Sequence, residues 1–113
     1  MTIAGGASRI GRQTDHVSVT LATTLGNTPV IGTEGVAGGV IFIPSGSTIT
    51  TLTYNAAPDS SGTFLPLHDS AGSAVTQTVA AGKAYDMPSS CYGAGALKIV
   101  SDAAGAIELS LKG

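Results

Sequence analysis

Two histidines, a single cysteine and a few glycine-spaced motifs are what this chain offers for chemistry. The segment "GGASRIGRQ" comes nearest to a binding motif, because Gly6 and Gly11 have the spacing of a phosphate loop. Arg12 stands where that loop needs its lysine and Gln13 where it needs serine or threonine. Only five residues precede Gly6, too few for the buried strand that must lead into such a loop. "YGAGAL" supplies Gly93 and Gly95, but Lys98 occupies the third glycine position of a dinucleotide-binding turn. Asp15-His16 and His68-Asp69 are acid–imidazole neighbours. Adjacent residues on a strand point to opposite faces, so neither pair chelates as it stands, and zinc needs three or four converging ligands. Cys91 with a histidine would make a nucleophile, yet a lone cysteine in a small-residue loop reads as a small buried hydrophobe. The expectation is therefore no catalytic residue, no cofactor and no metal.

The acidic residues make better sense as turn chemistry. Asp59-Ser60-Ser61-Gly62, Asp69-Ser70-Ala71-Gly72 and Asp102-Ala103-Ala104-Gly105 repeat one D-x-x-G tetrapeptide. Aspartate at the first position of a type I turn bonds its own backbone two residues on, and glycine at the fourth accepts a positive φ. A nucleotide-switch reading of D-x-x-G would need a phosphate loop beside it. All three copies are expected to close hairpins, with Gly62, Gly72 and Gly105 at positive φ.

The elements between those turns have period two. Val17, Val19 and Leu21 alternate with Ser18, Thr20 and Ala22; Val75, Gln77 and Val79 with Thr76 and Thr78. Leu97 and Ile99 flank Lys98, and Ile107, Leu109 and Leu111 flank Glu108 and Ser110. Each is a half-buried strand pattern. The continuous run "GVIFIP" predicts a central strand buried on both faces. In "SGSTITTLTY" the apolar phase slips between Ile49 and Leu52, which predicts a bulge or bend near Thr50 and Thr51. No segment keeps helical apolar spacing over three turns. The expected fold is one all-β domain, a β-sandwich or jelly roll of about eight short antiparallel strands over residues 16–113. Residues 1–15, rich in glycine and alanine and carrying Arg9 and Arg12, are expected to form an extended N-terminal arm that contacts a partner.

Composition narrows the function classes. Charged residues are 11 % of 113, against about 25 % in ordinary domains. The net charge of −2 offers no basic footprint for nucleic acid, and one cysteine cannot form an intramolecular disulfide. No apolar run approaches the length of a membrane span, and the N-terminus lacks the apolar core of a secretory signal. A cytosolic site of synthesis and no membrane contact are expected. The strand faces carry serine and threonine where soluble sheets usually place lysine against edge-to-edge pairing. Such faces suit a protein that spends its life against other subunits.

From about residue 40 onward the chain resembles the small structural proteins of tailed-bacteriophage virions, including capsid decoration (cement) proteins. The resemblance rests on the hydroxyl-rich strand, "FLPLHDSAG", "AVTQTVAAGKAY", "GAGALKIV" and the closing "IELSLKG". It implies a sandwich or jelly-roll subunit on the outside of a capsid, bound to the major capsid protein and often trimeric over a local threefold axis. Residues 1–15 lie outside it. A carbohydrate- or receptor-binding module of a tail or fibre, with Tyr54, Tyr85 and Tyr92 as stacking platforms, is the alternative from another class. A head-completion or tail-tube protein is a third.

Overall fold

Alternating apolar residues with turn signals at short intervals give nine strands and no α-helix in the computed structural model, which describes residues 14–33 and 36–112. The strands are β1 (Thr14–Leu21), β2 (Ile31–Gly32), β3 (Gly38–Ile43), β4 (Thr51–Ala57), β5 (Leu65–Pro66), β6 (Thr76–Thr78), β7 (Lys83–Asp86), β8 (Ala96–Ser101) and β9 (Gly105–Lys112). One sheet has the order β1-β9-β3-β7; the other has β2-β8-β4-β5, with β6 also pairing β4. Every pairing is antiparallel.

The pairings are nested. β1 lies on β9, β2 on β8, β3 on β7, and β4 on β5 and β6. A single long hairpin rolled onto itself produces this set, and the result is the jelly-roll connectivity. β5 and β6 share one lane, because Leu65 and Pro66 face Ala56 and Asn55 while Thr76 to Thr78 face Thr53 to Thr51. Between them the chain leaves the sheet at Tyr54. The Tyr54 amide donates to the Val75 carbonyl, and its carbonyl accepts from the Leu67 amide. Residues 68–74 form an exposed hairpin projecting from that neck.

The core lies between the sheets and is thin. One sheet contributes Leu21, Ile41, Ile107 and Leu109, the other Leu52, Tyr54, Leu97 and Ile99, all essentially without solvent contact. Each fully buried aliphatic of this size contributes about 1.5–3 kcal/mol. Tyr54 is the one aromatic fully inside, and its hydroxyl donates to Gln77 Oε1 at 2.7 Å.

The structure changes three expectations. β3 is central in its sheet but buried on one face only: Ile41 and Ile43 point inward, while Val40 is half-buried and Phe42 is 44 % exposed. An apolar run shows that a strand is central without showing that a second layer covers it. Positive φ occurs at Gly72 (+86°) but not at Gly62 or Gly105; the other such glycine among the described residues is Gly82 (+74°). And Asp102–Gly105 closes no hairpin, because β8 and β9 belong to different sheets. The phase slip near Thr50 and Thr51 is present, and both Ile49 and Leu52 are buried.

Two glycines test this geometry by different physics. Gly72→Ala should cost about 1 kcal/mol by placing an L side chain at positive φ. Gly95 has no such φ, but a Cβ there would fall on the Pro58 carbonyl oxygen. Gly95→Ala should therefore cost about 3 kcal/mol, since backbone must move. Urea unfolding of both variants checks the ranking, and a milder Gly95→Ala would contradict the packing of β8 against the β4–β5 turn.

Candidate functional site

The three aspartates of the repeated tetrapeptide do two different jobs. Asp59 Oδ1 accepts from the Ser61 amide and hydroxyl, both at 2.9 Å, and the Gly62 amide returns to the Asp59 carbonyl. Asp69 Oδ1 accepts from the Ala71 and Ser73 amides at 2.9 and 3.0 Å. Both make the expected local aspartate bonds, but only the second has its glycine at positive φ. Asp102 instead reaches across the fold. Its Oδ1 accepts from the Thr50 and Thr51 amides at 2.9 and 3.0 Å, and its Oδ2 from the Thr50 hydroxyl at 2.5 Å. In a regular strand successive amides point to opposite sides. Two consecutive amides aimed at one oxygen therefore mark the bend. The Thr50 hydroxyl, followed by the two amides, holds the Asp102 carboxyl down at about 2. Gly105 packs beside this joint, where a Cβ would sit 3.2 Å from Ile49 Cδ1.

The histidines and the cysteine do not converge. His16 Nε2 meets Glu108 Oε1 at 2.7 Å on the outer face of the first sheet, an exposed pair of the kind that contributes 0–1 kcal/mol. His68 Nδ1 lies 3.0 Å from the Pro66 carbonyl, in the projecting hairpin. Cys91 is fully buried in the 3-10 turn Ser89–Gly93, and burial pushes its thiol up to about 12. Burial also raises Tyr54. Among the described residues no group of three or more His, Cys, Asp or Glu side chains converges on a metal position. Of the tyrosines named as stacking platforms, Tyr54 lies in the core, whereas Tyr85 and Tyr92 are half-buried. Arg9 and Arg12 lie outside the described residues.

Two surfaces remain. On the outer face of the second sheet, Thr51 stands opposite Thr78, Thr53 opposite Thr76, and Val100 beside Thr53. This block is β-branched and uncharged. Of the other hydroxyls in "SGSTITTLTY", Ser47 Oγ accepts the Ile49 amide and Thr50 is committed to Asp102. The nearest cation on that sheet, Lys98, is held by the Leu25 carbonyl at 3.3 Å and over the Phe64 ring at 5.1 Å.

The second surface is a groove of about 430 Å³ at one end of the first sheet, lined by Gly38, Gly39, Val40, Asp86, Ser110, Lys112 and Tyr92 among others. Register puts Val40 between Asp86 and Ser110, and Gly38 beside Lys112. The Tyr92 hydroxyl donates to the Met87 carbonyl at 3.1 Å, which fixes that ring at the rim. Burial raises Tyr92, opposed by the Gly39 amide. Sequence reading missed the groove because its residues come from three separate strands and the 3-10 turn. The local signal was the pair Gly38-Gly39 inside an otherwise apolar strand, since glycine in a strand often marks close approach of a ligand or another backbone. No family model, curated protein or solved structure matches the chain.

The Asp102 joint gives a pH dependence with a definite sign. A carboxyl held below its ordinary 3.8 stabilises the fold above that value and loses its contribution as pH falls toward about 2. Asp102→Asn should lower Tm at neutral pH, and its difference from the parent should close over that window. A difference that persisted at pH 2 would contradict the assignment. Native Cys91 should stay unreactive toward a thiol reagent at pH 8 and become reactive on unfolding.

Proposed function

We propose that this chain is a structural subunit of a tailed-phage particle: a capsid decoration protein, homotrimeric, bound to the outer surface of the head across neighbouring copies of the major capsid protein. The observation that carries this reading is the threonine block of Thr51, Thr53, Thr76 and Thr78 with Val100, an uncharged β-branched face on which Thr76 and Thr78 are exposed and the other three half-buried. Burying a lysine in a contact costs about 2 kcal/mol of rotamer freedom as well as the desolvation of its charge. Threonine gives up little rotamer freedom, buries a methyl and keeps a hydroxyl able to donate or accept. A face of this kind docks at low entropic cost. The jelly-roll connectivity supports the same role, being widespread among capsid proteins.

The mechanism is thermodynamic. A subunit that binds the assembled lattice and not free capsid protein stabilises the lattice by mass action, and linked contacts within a trimer multiply the effect. Arg9 and Arg12 supply attachment to carboxylates on a neighbour, so raised salt weakens binding.

Mass analysis of purified virions should find this chain in fixed ratio to the major capsid protein. Sedimentation equilibrium should give a trimer. The paired change Thr53→Lys with Thr76→Lys should leave the chain folded while abolishing its binding to heads stripped of it. A clean monomer that neither binds heads nor occurs in virions would overturn the reading.

A further inference from the structure

The outer face of the first sheet carries a feature that attachment to a capsid does not require. Along β3 the outward positions are Gly38, Val40 and Phe42, the last 44 % exposed. Among the described residues nothing requires glycine at position 38. Its φ is not positive, and among the described residues a Cβ there would meet nothing within 4 Å. The neighbouring Gly39 differs, because a Cβ there would strike Met87 Sδ at 2.8 Å and Leu111 Cδ2 at 3.0 Å. A side chain at Gly38 would suit the strand and fill the groove instead. The sequence keeps that floor bare.

We infer that the groove is a binding site for a neutral saccharide. Asp86 and Ser110 flank Val40 on either side, about 10 Å apart by two strand spacings, and Lys112 lies about 7 Å along β9 from Ser110. That outline fits one sugar ring with its hydroxyls. The carboxylate of Asp86 accepts from hydroxyls, the ammonium of Lys112 donates to them, and Ser110 does either. The two charges of the described rim sum to zero, which favours a ligand without net charge. Below them Gly38 and Val40 offer an apolar floor for the C–H face of a ring, Tyr92 stands at one end, and Phe42 extends the strip at the other. The volume of about 430 Å³ lies in the range of small-ligand pockets. Because binding is read on the isolated chain, this site stands or falls independently of the assembly role.

The test is an amide-shift titration of the whole chain with D-glucose, D-galactose, N-acetyl-D-glucosamine and L-rhamnose, each taken to tens of millimolar. At least one sugar should give saturable shifts confined to Gly38, Gly39, Val40, Asp86, Ser110 and their neighbours, with a millimolar dissociation constant. Gly38→Val should keep its Tm and weaken that binding about tenfold or more by filling the floor. Asp86→Asn and Lys112→Met should each weaken it several-fold without altering the fold. The site is refuted if none of the four sugars gives a saturable shift, if the shifts map elsewhere, or if folded Gly38→Val binds as the parent does.

Discussion

Asp102 ties together two places where the chain changes sheets. Thr50 and Thr51 end the crossing from β3 to β4, and Asp102 begins the crossing from β8 to β9. At such crossings the ladder leaves backbone amides without a strand partner. One carboxylate takes two of those amides and a hydroxyl. The Asp102 amide in turn donates to the Thr51 carbonyl, and the Ser101 hydroxyl closes on the Ala103 carbonyl at 2.6 Å. The bend brings Ile49 and Leu52 to the same side, and both enter the core. With so few large side chains inside, the fold depends on inward residues arriving in phase.

The same joint shows where sequence reading succeeds and where it stops. β1, β6, β8 and β9 were legible because period-two alternation is a local property of each strand. Two D-x-x-G turns were legible for the same reason, since Asp59 and Asp69 bond within their own tetrapeptides. The third copy has the same letters and another fate. Whether a turn closes a hairpin or crosses between layers depends on which sheet the next strand joins, and a tetrapeptide carries no information about that. Thr50 and Asp102 are 52 residues apart, so their contact exists only after the hairpin has rolled up.

Burial on β3 was misread for a related reason. "GVIFIP" has no polar residue to mark a solvent face, so hydrophobicity alone implied two covered faces. The structure distinguishes them by size and position: Ile41 and Ile43 fill the core, while glycine, valine and phenylalanine occupy the outward positions. Fold class and strand count were recoverable from the letters, because nine strands occupy eight lanes once β5 and β6 are seen as one. The groove was not recoverable, because Asp86, Ser110 and Lys112 meet across β3 only through inter-strand register.

Low charge then takes on a different meaning for each sheet. On the second sheet the outward block is threonine and valine, chemically uniform and suited to contact with a protein surface. On the first sheet the few charges present, Glu108, Asp86 and Lys112, share the outer face with His16, the bare floor at Gly38 and the exposed ring of Phe42. A jelly roll presents two outer faces that do not compete for residues, since alternation assigns each strand's outward side chains to one sheet only. The inward set is committed to the thin core and cannot be varied cheaply, because lost methylenes there leave cavities. The outward sets carry no such constraint. The proposed contact with a protein lattice and the proposed recognition of a small polyol would therefore place independent demands on this chain, one on each side of the sandwich.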